Sequence, residues 1–411
     1  RASTDFGRLT FKSDGTAYVG TYEKLKSRHD LSWFIATMVP RAVLMERVRK
    51  NNRQTYTIAV VSLVLAVVAA VVLAALISRP LKQLARETEA IGRFELDPNP
   101  QTFSALVELE RLASSMEEMK AGLRSFSKYV PAELVRAVLA SGSEAVLGGR
   151  RKELTIYFSD IAGFTSIAEG LAPEELVDLL GEYLGAMSAG VAQQKGTVDK
   201  YIGDAVMAFW GAPKSLEDHA VRACTAALRN THELEKLNKR WKEKARPPLP
   251  TRIGIHTGEV IVGNMGCSER LNYTVVGDAV NLASRLEGLN KFYKTKILIS
   301  EITYAKAKDS VLARPLERVS VKGRERGILV YELLSLREDA DDGLVELATL
   351  SEKAVDAYYD RRFQEAKKHL HLILEIRRGD VAATRLLDKA QKYVDEDPPE
   401  GWDGVRRMES K

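Results

Sequence analysis

Cysteine is nearly absent, with only Cys224 and Cys267 in a chain of 411 residues. Two cysteines cannot build a disulfide framework, and neither lies in a Cys-x-x-Cys or Cys/His spacing suited to zinc. The six histidines offer no ligand pair. His256, inside the apolar run Arg252 to Gly258, reads as packed and hydrogen-bonded. Glycine (28) and proline (13) are too sparse for a collagen-like or low-complexity chain, while 45% hydrophobic residues provide for a folded core. Excess charge is also small, at a formal +5. No concentrated basic stripe marks a nucleic-acid binder, so no nucleic-acid partner is expected. No signal peptide opens the chain, whose first residue is Arg1, and the reading is of a fragment or processed form. The length calls for two to four units.

Charge is missing altogether from residues 56–77, YTIAVVSLVLAVVAAVVLAALI. As a helix these would extend roughly 33 Å, enough for a hydrocarbon core of about 30 Å, so a lipid bilayer is an expected partner. Arg49, Lys50 and Arg53 precede the run and Arg79, Lys82 and Arg86 follow it, so basic flanks alone leave its orientation open. Upstream, Phe11 to Val19 reads as strand, turn and strand, Leu31 to Val39 as a strand and Ala42 to Asn51 as a helix. Residues 1–55 thereby resemble the end of an extracytoplasmic Cache-type sensor domain, whose ligand stays unknown.

Downstream, residues 78–130 hold two helical patterns. Leu81, Leu84, Thr88 and Ile91 form the first, and a break at Leu96-Asp97-Pro98-Asn99-Pro100 follows. Leu109, Leu112, Met116, Met119, Leu123, Phe126 and Val130 then alternate in steps of three and four, the seam of a parallel coiled coil. Two such helices below a span resemble a HAMP relay and imply a homodimer.

The chemistry-bearing residues lie beyond the glycine pair 148–149, which reads as a linker. Leu154 to Ser159 alternates as a strand and delivers Asp160 just before a helical segment, where amide groups and the helix dipole favour phosphate. Thr197 to Ile202 and Ala205 to Trp210 read as strands joined by Gly203-Asp204, a two-residue hairpin with a second carboxylate at its tip. Two such acids could hold paired Mg²⁺ ions against a triphosphate. Further on, Leu271 to Val276 reads as a strand and Ala279 to Gly288 as a helix. Asn281 and Arg285, one turn apart on that helix, share a face.

The segments F-S-D-I-A-G-F-T (158–165), K-Y-I-G-D (200–204), Y-T-V-V-G-D-A-V-N-L-A-S-R-L-E (273–287) and V-K-G (321–323) resemble the class III nucleotidyl cyclases over residues 131–336. The resemblance implies an α+β domain, a mixed sheet flanked by helices, working as a head-to-tail homodimer. It implies metal ligation by Asp160, Asp204 and the carbonyl of Ile161, with two Mg²⁺ or Mn²⁺ ions per site. Lys200 and Thr274 match the purine-reading positions in the form similar to adenylate cyclases. Phe164, Thr165 and Lys322 match positions that meet the substrate, Lys322 at its terminal phosphates. Asn281 would orient the ribose and Arg285 would stabilise the transition state, both serving the partner's acids. The implied reaction is ATP to 3′,5′-cyclic AMP and pyrophosphate. A guanylate cyclase and a non-catalytic scaffold are the alternatives.

Because ATP is cytosolic, residues 78–411 are expected inside the cell membrane and 1–55 outside. An acidic linker at 337–343 leads to residues 344–411, read as a helical hairpin that resembles one tetratricopeptide unit.

Overall fold

The computed structural model describes residues 6–25, 33–97, 106–130, 132–141, 144, 146–320 and 327–407. The chain divides into two units, residues 1–124 and 125–411. In the first, β1 (Phe6–Ser13), β2 (Thr16–Leu25) and β3 (Trp33–Pro40) form an antiparallel meander. Asp14 and Gly15 turn β1 into β2 with φ of +48° and +76°, the doubly left-handed geometry that matches strand twist in two-residue hairpins.

Helix α1 (Arg41–Gly92) then runs for 52 residues. The three helical segments expected at 42–51, 56–77 and 81–91 are therefore one, because nothing between Asn51 and Tyr56 breaks the helix. Pro80 lies inside α1, although proline donates no N–H and its ring crowds the carbonyl four residues back. Among the described residues α1 is the one helix long and apolar enough to cross a membrane. Helix α2 (Val107–Phe126) buries Met116 and Lys120 and leaves Leu112, Met119 and Phe126 exposed at heptad spacing. The expected seam is thus split between a buried row and an open one. The proline-containing part of the break before α2, residues 98–100, lies outside the described residues.

The second unit opens with α3 (Ala132–Ser141) and continues through β4 (Gly148–Ile161), α4 (Phe164–Glu169), α5 (Pro173–Gln193), β5 (Thr197–Ile202), β6 (Ala205–Trp210) and α6 (His219–Glu243). Next come β7 (Thr251–Cys267), β8 (Arg270–Val276), α7 (Asp278–Tyr293), β9 (Ile297–Ser300), α8 (Glu301–Ala307), β10 (Val311–Ser320) and β11 (Ile328–Leu336). A tail of α9 (Asp342–Tyr359), α10 (Phe363–Ile376), α11 (Val381–Asp395) and β12 (Arg406–Arg407) completes it. The strands form one mixed sheet in the order β12-β10-β11-β9-β7-β4-β6-β5, with β8 also on β7. β7 is parallel to β9, and β12 is parallel to β10.

Alternation along the central strands sorts their side chains onto two faces. Tyr157, Ile161, Val206, Ala208 and Trp210 pack under α5 and α6. Leu154, Ile156, Met207 and Phe209 pack on the other face with Val262 and Val275 and with Ala279 and Ala283 of α7. On that face the outer half of β7 and β8 curls back over β6, bringing the Phe209 and Tyr273 rings to 6.3 Å. The glycines at 148 and 149 are not a linker: they are the first residues of β4, opposite Asn264 and Gly263. A Cβ on Gly263 would lie 2.1 Å from the Gly148 carbonyl oxygen, so β7 requires glycine at that position. His256 is buried and lies 2.7 Å, Nδ1 to Oγ, from Ser300.

The tail has three helices rather than a hairpin, and of the acidic linker only a 3-10 turn at Arg337–Asp339 and two further residues precede α9. Gly379, with φ of +78°, turns the chain into the third helix. This tail packs on the sheet through Leu329 and Leu334 of β11. Buried Arg314 of β10 bridges Glu332 of β11, at 2.6 Å, and Asp380 at the start of α11, at 2.5 Å. Tyr359 accepts the Arg318 amide at 2.6 Å. Phe292 of α7 lies between the guanidinium groups of Arg385 and Arg406.

One glycine controls the position of α7. A Cβ on Gly254 of β7 would stand 2.1 Å from the Glu287 amide nitrogen and 2.4 Å from the Ala283 carbonyl oxygen. Strand and helix backbones therefore touch directly. Gly254→Ala is expected to cost about 1–3 kcal/mol in chemical denaturation through overpacking. Gly288→Ala, where nothing lies within 4 Å of the new carbon, is expected to leave stability unchanged or raise it by up to about 1 kcal/mol.

Candidate active site

β4 and β6 are antiparallel neighbours, with Ser159 opposite Val206. That register sets Asp160, at the end of β4, beside Asp204, in the turn that opens β6. Gly203, with φ of +66°, supplies the left-handed step that swings Asp204 inward, where the Ile161 amide donates to its Oδ2 at 3.0 Å. Asp160 Oδ2 accepts from Arg252 Nη2 at 3.0 Å, and Arg252 Nε lies 3.1 Å from Glu287 Oε1 of α7. Burial and then the neighbouring charge and hydrogen bond of Asp204 push the Asp160 carboxyl above its ordinary range, against the opposing pull of Arg252.

A carboxylate pair of this kind suits a hard divalent cation. Mg²⁺ takes one or two carboxylates from the protein and completes its shell with water and phosphate oxygens. No cluster of three or more His, Cys, Asp or Glu occurs among the described residues, so a closed all-protein metal cage is not present there. Asp160, Asp204 and the Ile161 carbonyl fit an open site that a phosphorylated ligand would complete. Beyond it Gly163, in the left-handed region, leads into α4. The Phe164 side chain packs against the core, so what Phe164 and Thr165 offer a ligand is the unpaired amide end of a helix.

A second cluster forms where β8 curls over. Lys200 Nζ donates to Thr274 Oγ1 at 3.3 Å, joining the two residues expected to read a base. Sequence reasoning missed the residue between them. Asp199, its side chain 2% exposed, accepts the Thr274 hydroxyl at 2.5 Å and lies 3.2 Å from Lys200 Nζ. A strict strand would send Asp199 and Lys200 to opposite faces. Here β5 shifts register between Val198 and Lys200, so Asp199 is the extra residue of a bulge. Arg252 was also missed, since its role follows only from its pairing with Asp160 across β4 and β7. Asn281 is exposed and Arg285 half-buried on α7. Lys322 lies outside the described residues.

Residues 148–335 match the model of the family described as the adenylate and guanylate cyclase catalytic domain. The chain is 37% identical over 335 residues to adenylate cyclase 1 of Rhizobium meliloti, covering 80% of this chain and 50% of that protein. It is 28% identical to the solved structure of a bacterial light-regulated adenylyl cyclase, with a TM-score of 0.50, covering 58% of this chain and 68% of that one. It is 37% identical to the solved guanylyl cyclase Cya2, with a TM-score of 0.44, covering 47% of this chain and 98% of that one. The chain spans about half the length of the curated relatives it matches. Residues 148–335 thus belong to the adenylate and guanylate cyclase catalytic domain family.

The raised Asp160 carboxyl gives a stability test. Above the ordinary carboxylate range the unfolded chain has released this proton while the metal-free fold still holds it, so ionising Asp160 costs the fold stability as pH rises. In EDTA at neutral pH, Asp160→Asn is expected to melt no lower than the parent. Mg²⁺ or Mn²⁺ with a non-hydrolysable nucleoside triphosphate should raise the melting temperature of the parent and not of this variant.

Proposed function

We infer that this chain is a membrane-anchored adenylate cyclase that converts ATP to 3′,5′-cyclic AMP and pyrophosphate in a homodimer. The observation that carries the reading is the pairing of two clusters in one catalytic domain: the half-buried acids Asp160 and Asp204, and the Lys200–Thr274 contact. Divalent metal held by the acids and the Ile161 carbonyl would neutralise the triphosphate and activate the 3′-hydroxyl as a nucleophile. Mg²⁺ or Mn²⁺, two per site, is the reading the family suggests.

The remaining work falls to the chain's own groups. The amides opening α4 meet phosphate oxygens. Lys200 donates to N1 of adenine and Thr274 accepts from its exocyclic amine, whereas guanine offers the opposite pattern at both positions. Asn281 orients the ribose. Arg285 stabilises the charge that grows on the α-phosphate as the 3′-hydroxyl yields its proton to solvent or a substrate phosphate, its oxygen bonds to phosphorus and pyrophosphate departs. Lys200, Thr274, Asn281 and Arg285 serve the acids of the partner subunit, so each dimer has two sites. Lys322 is assigned to the terminal phosphates from sequence alone.

Residues 56–77 span the cell membrane, with 1–55 outside as the end of a sensor and 78–411 in the cytoplasm. The exposed row Leu112, Met119 and Phe126 supports a parallel dimer seam in a HAMP-like relay at 78–130. The external ligand is unassigned.

Purified 411-residue chain in detergent, given Mg²⁺ or Mn²⁺, is expected to form cyclic AMP from ATP in preference to cyclic GMP from GTP. Asp204→Ala should abolish product, and Arg285→Ala should lower kcat by about 10²–10³-fold, the scale of losing a transition-state donor. Mixing equal amounts of those two variants should restore about a quarter of the parental activity. Half of the dimers would then be mixed, each with one intact site of two. No recovery in subunits shown to exchange would overturn the shared site.

A further inference from the structure

We propose that Asp199 is the residue that sets the purine preference of this site, by fixing which way the Thr274 hydroxyl points. The proposal deepens the adenylate cyclase reading and rests on it.

A threonine hydroxyl is ambiguous, because it carries one proton and two lone pairs and can rotate to donate or accept. Thr274 on β8 could therefore accept from the amine of adenine or donate to the O6 of guanine with equal ease. Asp199 removes that freedom. Its buried carboxylate can only accept, and its Oδ2 takes the Thr274 proton at 2.5 Å. One Thr274 lone pair then receives Lys200 Nζ at 3.3 Å, which leaves the second for a ligand. Lys200 is tied in the same way. One of its N–H donors goes to Thr274, and its ammonium pairs with Asp199 Oδ1, 3.2 Å away. An N–H is left for a ligand.

The triad thus presents one acceptor and one donor, the complement of an adenine edge and the inverse of a guanine edge at both points. A site whose buried polar groups would be left mispaired rejects the wrong base strongly. The bulge in β5 is what makes the triad possible, since it carries Asp199 and Lys200 to the same neighbour. A carboxylate with its side chain only 2% exposed is costly to bury without partners, and here both partners are base-reading groups. Asp199 meets no substrate atom in this scheme, and acts as a positioning residue.

The test compares kcat/KM for ATP and GTP in the full 411-residue chain and in Asp199→Asn, which keeps the shape and removes the charge. An asparagine can present its amide N–H to Thr274 and release the hydroxyl to donate. The ATP/GTP ratio is expected to fall at least tenfold, with Asp199→Glu retaining more of it than Asp199→Asn. A general structural defect would lower both substrates together and leave the ratio in place. Thr274→Val supplies the second measurement: without the hydroxyl, adding Asp199→Asn should change the ratio by less than threefold. A parent that prefers GTP would overturn the purine reading itself, and this proposal with it. A parent that prefers ATP, with the ratio within threefold in folded, dimeric Asp199→Asn, would overturn the role of Asp199 alone.

Discussion

Asp160 and Asp204 stand side by side at one end of neighbouring strands, half-buried and of like charge, and much of the catalytic domain is arranged around keeping them there. The register of β4 against β6 brings them together. The Ile161 amide holds one and the Arg252 guanidinium holds the other. Burial and then the neighbouring charge of Asp204 raise the Asp160 carboxyl, and a divalent cation held by the pair would relieve that repulsion. The same Arg252 reaches Glu287 on α7, so the helix bearing Asn281 and Arg285 is referenced to the acids through a single side chain. Gly254 sets the distance at which that reference operates, because β7 and α7 meet there backbone to backbone.

Most of this was legible in the sequence where the information is local. The alternation from Leu154 to Ser159 announced a strand, Gly203-Asp204 a tight turn, and Asn281 with Arg285 a shared helix face. What was not legible depends on pairing. Arg252 is an ordinary strand residue until β4 lies beside β7, and Asp199 is an ordinary neighbour of Lys200 until a bulge turns both toward Thr274. The glycine pair at 148–149 misled for the same reason, because its place opposite Asn264 and Gly263 follows from strand pairing, and in one dimension two glycines look like a hinge. The continuous α1 was hidden by composition, since a polar stretch between two apolar ones reads as a boundary although every residue in it tolerates a helix. The third tail helix was hidden because a two-helix repeat pattern absorbed its leucines.

The two units handle apolar surface differently. In the second, the sheet is covered on both faces and its cores run from α5 and α6 to α7 and the tail. In the first, the long apolar side chains of α1 between Tyr56 and Ile77 remain exposed along its length, and α2 keeps an open row at heptad spacing. Both are surfaces that water penalises.

The family match ends at residue 335, inside β11, but the folded body does not. Beyond that point lie the helices that cover Leu329 and Leu334, the Asp380 carboxylate that answers Arg314, and the two guanidinium groups that clasp Phe292 on α7. A break at 335 would take one of the two carboxylates from buried Arg314, leaving Glu332, and strip a hydrophobic face in one cut. The folded unit is therefore larger than the segment that the family match delimits, and it takes in α9 to α11 and β12.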